Sequence, residues 1–267
     1  MRATYDYIII GSGSAGSVLA ARLSEDQHVR VAVLEAGPMD RSLFVLRMPA
    51  ALAEPMKSER YNWAYVSEPE PYLDNRRLGY PRGRVVGGSS SINGMVYLRG
   101  NPQDYDGWSR TNGLESWSYA HCLPYFKRLE TSALGPSPYR GGDGPLKVTI
   151  PACDNPLFTA FIEAGKQAGL GYTDDVNGFR QEGVSRFERS TTDGVRASAS
   201  RRYLHPAIAR GRVDERAVDE EAVARSERHD RSGLGGGCVL EARWWCGAHC
   251  GGACGGVWFG HVLFSRR

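Results

Sequence analysis

Three glycines near the start of the chain have the spacing of a dinucleotide-binding turn. Residues 11–16 read Gly-Ser-Gly-Ser-Ala-Gly, which fits the pattern G-x-G-x-x-G. Gly11 permits a tight turn, Gly13 lets the backbone approach a pyrophosphate, and Gly16 lets a helix pack closely against a sheet. The backbone N–H groups at the start of that helix, from Ser14 and Ala15 onward, would face the phosphates. The segment predicts a phosphate-binding turn, and a glycine-rich loop that serves only packing is the alternative.

A carboxylate follows at the distance that a nucleotide site requires. Glu35 lies roughly 20 residues past the glycines, with Ala36 beside it. Its carboxylate can accept hydrogen bonds from the hydroxyls of an adenosine ribose. Because a 2′-phosphate would meet a like charge there, Glu35 disfavours NADP. The turn and the carboxylate together do not decide between NAD and FAD.

The residues around the turn predict the elements that position it. Residues 5–10 are short, β-branched and aromatic, which is typical of a buried strand. Residues 17–23 have the composition of a helix, and residues 29–34 predict a second strand that ends at Glu35. In a chain with 33 glycines the bare pattern has little specificity, so the flanking strand–turn–helix–strand order carries the prediction.

A second segment, residues 81–108, is rich in small and hydroxyl-bearing residues. Gly87 and Gly88 are followed there by three consecutive serines. Their backbone amides and hydroxyls suit an anionic or carbonyl-rich ligand. Small residues alone would favour a surface loop, which is the alternative.

The whole string of residues 81–108 resembles the first signature of the glucose-methanol-choline (GMC) oxidoreductases, which include choline and alcohol dehydrogenases. Residues 61–65, 155–169 and 192–206 also resemble this family, so the resemblance runs from about residue 5 to about residue 210. It implies FAD as the cofactor, with residues 86–90 near the pyrophosphate and residues 93–96 near the flavin. The expected cofactor-binding residues are Gly11, Gly13, Ser14, Ala15, Gly16, Glu35, Ala36, Trp63, Val86, Gly87, Gly88, Ser89, Ser90, Asn93, Gly94, Met95 and Val96.

The fold class that the motifs and the resemblance imply is α/β. We expect an incomplete Rossmann-like FAD-binding domain over residues 1–100, to which residues 190–210 return. Residues 101–189 would begin an α+β substrate domain.

The activity that the resemblance implies is FAD-dependent oxidation of the CH–OH group of an alcohol, choline or another primary alcohol, with hydride transfer to the flavin N5. The family places its catalytic histidine in a C-terminal part that this sequence does not match, so we assign no catalytic residue. His28, His121 and His205 are expected to be structural or exposed. The alternatives are a non-catalytic remnant that at most binds FAD, an NAD-dependent dehydrogenase, and a hydroxynitrile lyase on the same scaffold.

Residues 211–267 differ in composition from the rest of the chain. They are rich in glycine and arginine, contain four of the six cysteines, and show no strand pattern. This change indicates a frameshifted, disordered tail, with a genuine divergent tail as the alternative. Cys246, Cys250 and Cys254 could place three thiolates on one helical face for zinc. Because glycine pairs weaken a helix there, incidental cysteines are favoured and no metal site is expected.

Composition narrows the remaining classes of function. The net charge is only +3 without a basic block, which gives no support to nucleic-acid binding. No apolar run approaches the ~18 residues of a membrane span, and the start of the chain does not resemble a secretory signal. We therefore expect a cytoplasmic protein with free thiols, with peripheral attachment to the inner membrane left open. Its expected partners are a small-molecule alcohol and an electron acceptor that the sequence does not identify.

Overall fold

The computed structural model describes residues 4–217 and 261–264. The glycine turn lies between strand β1 (Tyr7–Ile10) and helix α1 (Ser14–Leu23), and strand β2 (Val31–Glu35) follows. β1 and β2 are parallel neighbours, with Tyr7 opposite Val31. The strand–turn–helix–strand unit predicted from the sequence is thus present, with α1 beginning inside the glycine motif itself.

Two later strands, β11 (Val213–Ala217) and β12 (His261–Phe264), complete a four-stranded sheet. β11 runs parallel to β2, and β12 runs antiparallel to β1. The strand order is β11-β2-β1-β12. The sequence after residue 211 shows no strand pattern, and it therefore did not predict these two strands. The string Val-Asp-Glu-Arg-Ala has no apolar pattern, so β11 owes its position to backbone pairing with β2 and to the burial of Val213.

The other predictions for the tail concern residues 218–260 and 265–267, which lie outside the described residues. These predictions include the disorder and the candidate zinc ligands Cys246, Cys250 and Cys254. The tail boundary at residue 211 stays a prediction, as do the domain limits.

The core lies between the sheet, α1 and a segment that returns to them late in the chain. The returning segment is a π-helical turn, Ser200–Leu204, followed by α6 (His205–Ala209). Side chains from all of these elements form one buried apolar cluster, in which full burial of each Val, Ile or Leu contributes about 1.5–3 kcal/mol. Its members include Ile9, Ala20, Val31, Val33, Val86, Tyr203, Leu204 and Ala207.

Residues 36–97 connect the first sheet to the rest of the chain through short elements. They comprise a π-helical turn (Leu43–Arg47), α2 (Ala53–Lys57), a hairpin of β3 (Tyr65–Val66) and β4 (Gly79–Tyr80), a 3-10 turn (Gly88–Ser91) and β5 (Val96–Tyr97). The signature segment identified in the sequence therefore contains little regular structure, and its backbone must be held by other contacts.

Residues 101–196 combine helices and short strands. Asn101 and Asn155 cap helices α3 and α5 through their side chains, and each is followed by a proline at the first helical position. The elements are α3 (Pro102–Ser109), α4 (Tyr119–Leu129), β6 (Glu130–Ser132), β7 (Leu146–Val148), α5 (Pro156–Gln167), β8 (Glu188–Arg189), β9 (Thr191–Thr192) and β10 (Val195–Arg196).

Three observations concern the described residues as a set. None of their helices combines the length and the apolar character needed to cross a membrane. Cys122 and Cys153 are free thiols. Within the same residues, no group of three or more His, Cys, Asp or Glu side chains is arranged to hold a metal ion.

Candidate functional site

The glycine turn has the backbone geometry that its sequence predicts. Gly11 adopts a φ of +86°, and its N–H donates to the carbonyl of Leu34, which ties the turn to β2. A Cβ at Gly16 would lie 1.9 Å from the carbonyl oxygen of Gly11, so only glycine fits at that position. Gly13 precedes α1 without a capping side chain, which leaves the first N–H groups of the helix to other partners.

The carboxylate of Glu35 lies behind this turn and is buried. One of its oxygens accepts hydrogen bonds from the backbone N–H and the hydroxyl of Ser12, at 2.8 and 2.7 Å. The other accepts from the N–H of Gly37 at 2.9 Å. Glu35 thus joins the end of β2 to the glycine turn, while its contact with a ribose stays a prediction. The neighbouring Ala36 is exposed.

The second motif packs directly on the first. A Cβ at Gly88 would lie 2.7 Å from the Cα of Gly13, so the two backbones touch. The N–H of Gly87 donates to the carbonyl of Ser12 at 3.0 Å, and the N–H of Val86 donates to that of Pro38 at 3.0 Å. Gly87 and Gly88 both have positive φ, at +89° and +55°. The structure therefore brings together two segments that lie about 75 residues apart, as a shared ligand would require.

The serine hydroxyls of the second motif serve the loop itself. The Ser90 hydroxyl donates to the carbonyl of Gly87 at 2.6 Å and accepts from the N–H of Ala199 at 2.9 Å. The Ser89 hydroxyl accepts from the N–H of Gly83 at 3.1 Å. We expected these residues to contact a ligand, and that role stays a prediction. What the structure shows is that both side chains hold the loop in shape.

The predicted flavin-side residues form a tight, left-handed turn. Met95 is buried and has a φ of +64°, a conformation that few residues other than glycine adopt. Its N–H donates to the side-chain oxygen of Asn93 at 3.0 Å, and its carbonyl accepts from the N–H of Ser190 at 2.9 Å. Asn93, Gly94 and Val96 are exposed, so a ligand could reach this turn.

Trp63 lies in the strand-like segment that precedes the signature. Its N–H donates to the carbonyl of Arg82 at 2.9 Å, and its ring is stacked on that of Tyr65 with centroids 6.1 Å apart. The Arg84 guanidinium lies 5.6 Å from the ring centroid. Trp63 is about one-third exposed, and the cofactor contact that the resemblance implies stays a prediction.

Sequence reasoning missed several residues that shape this site. Ser12 contacts both Glu35 and Gly87, and a Cβ at Gly37 would lie 2.1 Å from the backbone of Arg84. Asp40 is buried, accepts from Ser200 and His205 at 2.8 Å each, and so links the segment after β2 to the returning segment. The sequence offered a signal for Gly37, because a glycine stands there two residues after the acid that ends a strand. Nothing local marked Asp40.

Each histidine of residues 4–217 is either exposed or paired with another side chain. His28 is exposed, and exposed His121 pairs with the hydroxyl of Ser118 at 2.7 Å. His205 is occupied by Asp40. These positions match the expectation that all three are structural or exposed.

Two surface clefts lie at the opposite end of the strands from the glycine motifs. One is lined by residues of the α1–β2 loop with Arg210 and Arg212, and the other by Tyr5, Arg30 and residues 211–214. Neither contains a residue of the predicted site. Ligands of open α/β sheets bind outside the carboxyl ends of the strands, so we locate the site at the glycine turn instead.

Comparisons with known proteins match most of the chain. The sequence profile of the GMC oxidoreductase family matches residues 5–228, past the position near residue 210 at which we expected the resemblance to end. The oxygen-dependent choline dehydrogenase of Staphylococcus xylosus is 55% identical over 217 residues, which are 80% of this chain and 39% of the relative. That of Pseudomonas syringae pv. tomato is 58% identical over 206 residues, 76% of this chain and 36% of the relative.

Solved structures show the same similarity in three dimensions. Pyridoxine 4-oxidase from Mesorbium loti superposes with a TM-score of 0.74 at 36% identity, covering 80% of this chain and 42% of its own. An FAD-dependent oxidoreductase from Chaetomium thermophilum has a TM-score of 0.72 at 33% identity, with 80% and 38% covered. The chain thus spans about two fifths of the length of the relatives it matches.

Proposed function

Because this chain belongs to the GMC oxidoreductase family, we propose that it forms the FAD-binding part of an enzyme that oxidises the CH–OH group of an alcohol. The observation that carries the proposal is the backbone contact between Gly13 and Gly88, which joins the glycine turn to the family signature. The chain covers about two fifths of its choline dehydrogenase relatives, so the activity of a whole enzyme is part of the proposal.

The residues present fit a dinucleotide. A Cβ at Gly16 or Gly88 would collide with neighbouring backbone, so both positions need glycine. The N-terminus of α1 has no capping side chain. Backbone N–H groups in such a cradle stabilise the negative charge of a pyrophosphate. Buried Glu35 fixes the turn, and the exposed residues of the 93–96 turn would lie toward the flavin.

Bound FAD supplies the acceptor, at its N5 atom, for the hydride that leaves the alcohol carbon. The chain's own contribution in the described part is to bind and orient the cofactor. An alcohol can release hydride only if its hydroxyl proton is also removed, which calls for a base near neutral pKa. His28, His121 and His205 are exposed or occupied, so we place this base outside the described residues.

The substrate that we propose is a primary alcohol. Relatives that are 55–58% identical are named oxygen-dependent choline dehydrogenases, which makes choline the first alcohol to test. The electron acceptor stays unidentified, and the cytoplasmic location stays a prediction from the sequence.

Titration of the purified chain with FAD tests the binding step. We expect saturable quenching of flavin fluorescence at one FAD per chain, with NAD giving no competition. Gly88→Ala should abolish binding, because its Cβ would meet the Cα of Gly13 at 2.7 Å. Gly135→Ala is the matched control, since Gly135 has a similar positive φ, +82°, but nothing within 4 Å of its Cβ. A wild-type chain that does not bind FAD would refute the proposal.

A second candidate function is FAD binding without turnover. The histidines of residues 4–217 favour it, because His28 and His121 are exposed and His205 is paired with Asp40. Choline and other primary alcohols, assayed with an artificial electron acceptor on the FAD-loaded chain, separate the two candidates. Reduction of the acceptor on addition of an alcohol supports the enzyme, and a bound flavin that passes no electrons from any alcohol to the acceptor supports the second candidate.

A further inference from the structure

Arg196, in β10, is almost completely buried and reaches across to two segments far away in the sequence. Its Nε donates to the carbonyl of Leu46 at 2.9 Å. Its Nη1 donates to both the backbone carbonyl and the side-chain oxygen of Asn93, at 2.6 and 2.9 Å. A single planar side chain thus connects β10, the π-helical turn Leu43–Arg47 and the turn at residues 93–95.

The charge of Arg196 is not matched by an acid. No carboxylate among the described residues forms an ion pair with it, and its Nη2 is buried without a hydrogen-bond partner in that set. Burial lowers the pKa of Arg196 to about 10, so the side chain still carries its charge at neutral pH. Placing a cation here is costly, and a neutral core residue of similar size would stabilise the fold better. The residue is therefore better explained by what its hydrogen bonds position.

The group that these bonds position is the turn at residues 93–95. The side-chain oxygen of Asn93 accepts at once from Arg196 and from the N–H of Met95. Met95 has a φ of +64°, and this left-handed conformation is unfavourable for a residue that carries a Cβ. Strain of this kind persists only where surrounding contacts fix the backbone. The two bonds from Arg196 to Asn93 are such contacts.

We propose that Arg196 is the positioning residue of the flavin-side turn, residues 93–95, and sets the conformation in which that turn meets the cofactor. The inference rests on the proposed function in one respect, that this turn lies at the flavin. The fork of the guanidinium is essential to this role, because its Nε and Nη1 serve separate acceptors at fixed angles. A lysine keeps the charge but cannot reproduce that geometry.

The test compares Arg196→Lys with the wild-type chain in two measurements. The first is amide hydrogen exchange of residues 94–96 without FAD, where we expect exchange at least about tenfold faster in the variant. The second is the FAD dissociation constant, which should rise about tenfold. Arg196→Met, which removes the charge as well, should increase both the exchange rate and the FAD dissociation constant at least as much. If it does not fold, Arg196→Lys alone carries the test.

Two controls separate positioning from general destabilisation. Arg189→Lys changes an exposed arginine on the adjacent β8 and should leave both measurements unchanged. Val31→Ala removes buried apolar volume in β2 and should lower the unfolding temperature. Any faster amide exchange in this variant should not be confined to residues 94–96. Wild-type exchange of these residues in Arg196→Lys would overturn the inference. If the wild-type chain does not bind FAD, the proposed function fails, while the exchange measurement still decides the role of Arg196.

Discussion

Glu35 and Ser12 are joined by two hydrogen bonds that end on the same carboxylate oxygen, one from the Ser12 backbone N–H at 2.8 Å and one from its hydroxyl at 2.7 Å. The carbonyl of Ser12 in turn accepts from the N–H of Gly87. The end of β2 therefore holds the glycine turn, and the glycine turn holds the signature segment. A change at Glu35 should affect all three.

We expect Glu35→Gln to lower the free energy of unfolding by about 2 kcal/mol. The amide keeps one accepting oxygen, but its NH2 group must face the donors of either Ser12 or Gly37. The FAD dissociation constant should rise by at least about tenfold, since the turn loses its anchor. Urea unfolding and FAD titration measure the two effects. Glu25→Gln, at an exposed ion pair beyond α1, is the control. An unfolding curve and an FAD affinity like those of the wild type would contradict the anchoring role.

Gly16→Ala should prevent the turn from closing. The new Cβ would lie 1.9 Å from the carbonyl oxygen of Gly11, and both groups belong to backbone that cannot rotate away. We expect a loss of about 3 kcal/mol in the free energy of unfolding. Gly107→Ala is the control within a helix, since nothing lies within 4 Å of its Cβ. It should be neutral or stabilising by up to about 1 kcal/mol. Equal thermal stabilities of the two variants would show that the close approach at Gly16 is not needed.

The local unit was predictable because its determinants are close together in the sequence. An apolar run, three spaced glycines and a terminal acid define β1, the turn and β2, and the structure has them within a few residues of the expected bounds. The contact between Gly13 and Gly88 could be anticipated only through the family resemblance, since neither glycine carries information about the other.

The supporting contacts could not be predicted, because they join residues far apart in the sequence. Asp40 meets Ser200 and Arg196 meets Asn93 only after the chain has returned to the first sheet. Ser90 illustrates the same limit, since its hydroxyl suggested a ligand but bonds the loop and Ala199. β11 was missed because its charged sequence becomes a strand only beside β2.

The stability of the chain should depend on the ionisation of Asp40. Burial alone would raise the pKa of Asp40, but hydrogen bonds from His205 and Ser200, with His205 and Arg201 nearby, lower it below its ordinary value of 3.8. A carboxyl group whose pKa is lower in the folded state stabilises the fold above its ordinary pKa, and this contribution is lost as the pH falls through the folded pKa. Asp40→Asn should therefore be less stable than wild type by about 2 kcal/mol at pH 6.

The pH dependence distinguishes ionisation from simple loss of contacts. The difference between wild type and Asp40→Asn in urea unfolding should shrink progressively below about pH 4, since the wild-type carboxyl then becomes neutral too. Asp104→Asn, in the first turn of exposed α3, is a control for acid effects unrelated to Asp40. A difference that stays constant from pH 6 to pH 3 would argue against a role for the charge of Asp40.

A fourth prediction concerns Arg140, which is buried at the centre of residues 101–196. Its guanidinium contacts Glu130 at 2.8 Å, Asp175 at 2.7 Å and Glu188 at 2.8 Å, and Glu130 also pairs with Arg99 at 2.9 Å. Burial alone would raise the pKa of Glu130, but its hydrogen bond from Arg140 lowers it, so the carboxylate is charged at neutral pH. Arg140 therefore compensates the charge of all three acids, and Arg99 adds a second cation at Glu130.

Arg140→Met should destabilise the chain by about 3–5 kcal/mol, because it leaves Glu130 and Glu188 charged and buried with too few partners. Arg77→Met is the matched control, since the Arg77–Glu68 pair is exposed and such pairs contribute little. Equilibrium unfolding in urea at neutral pH measures both variants. The loss in Arg140→Met should become smaller at acid pH, where the orphaned carboxylates take up protons and no longer bear an unpaired charge. If Arg140→Met loses as little unfolding free energy as Arg77→Met, then these acids find other partners and do not depend on Arg140.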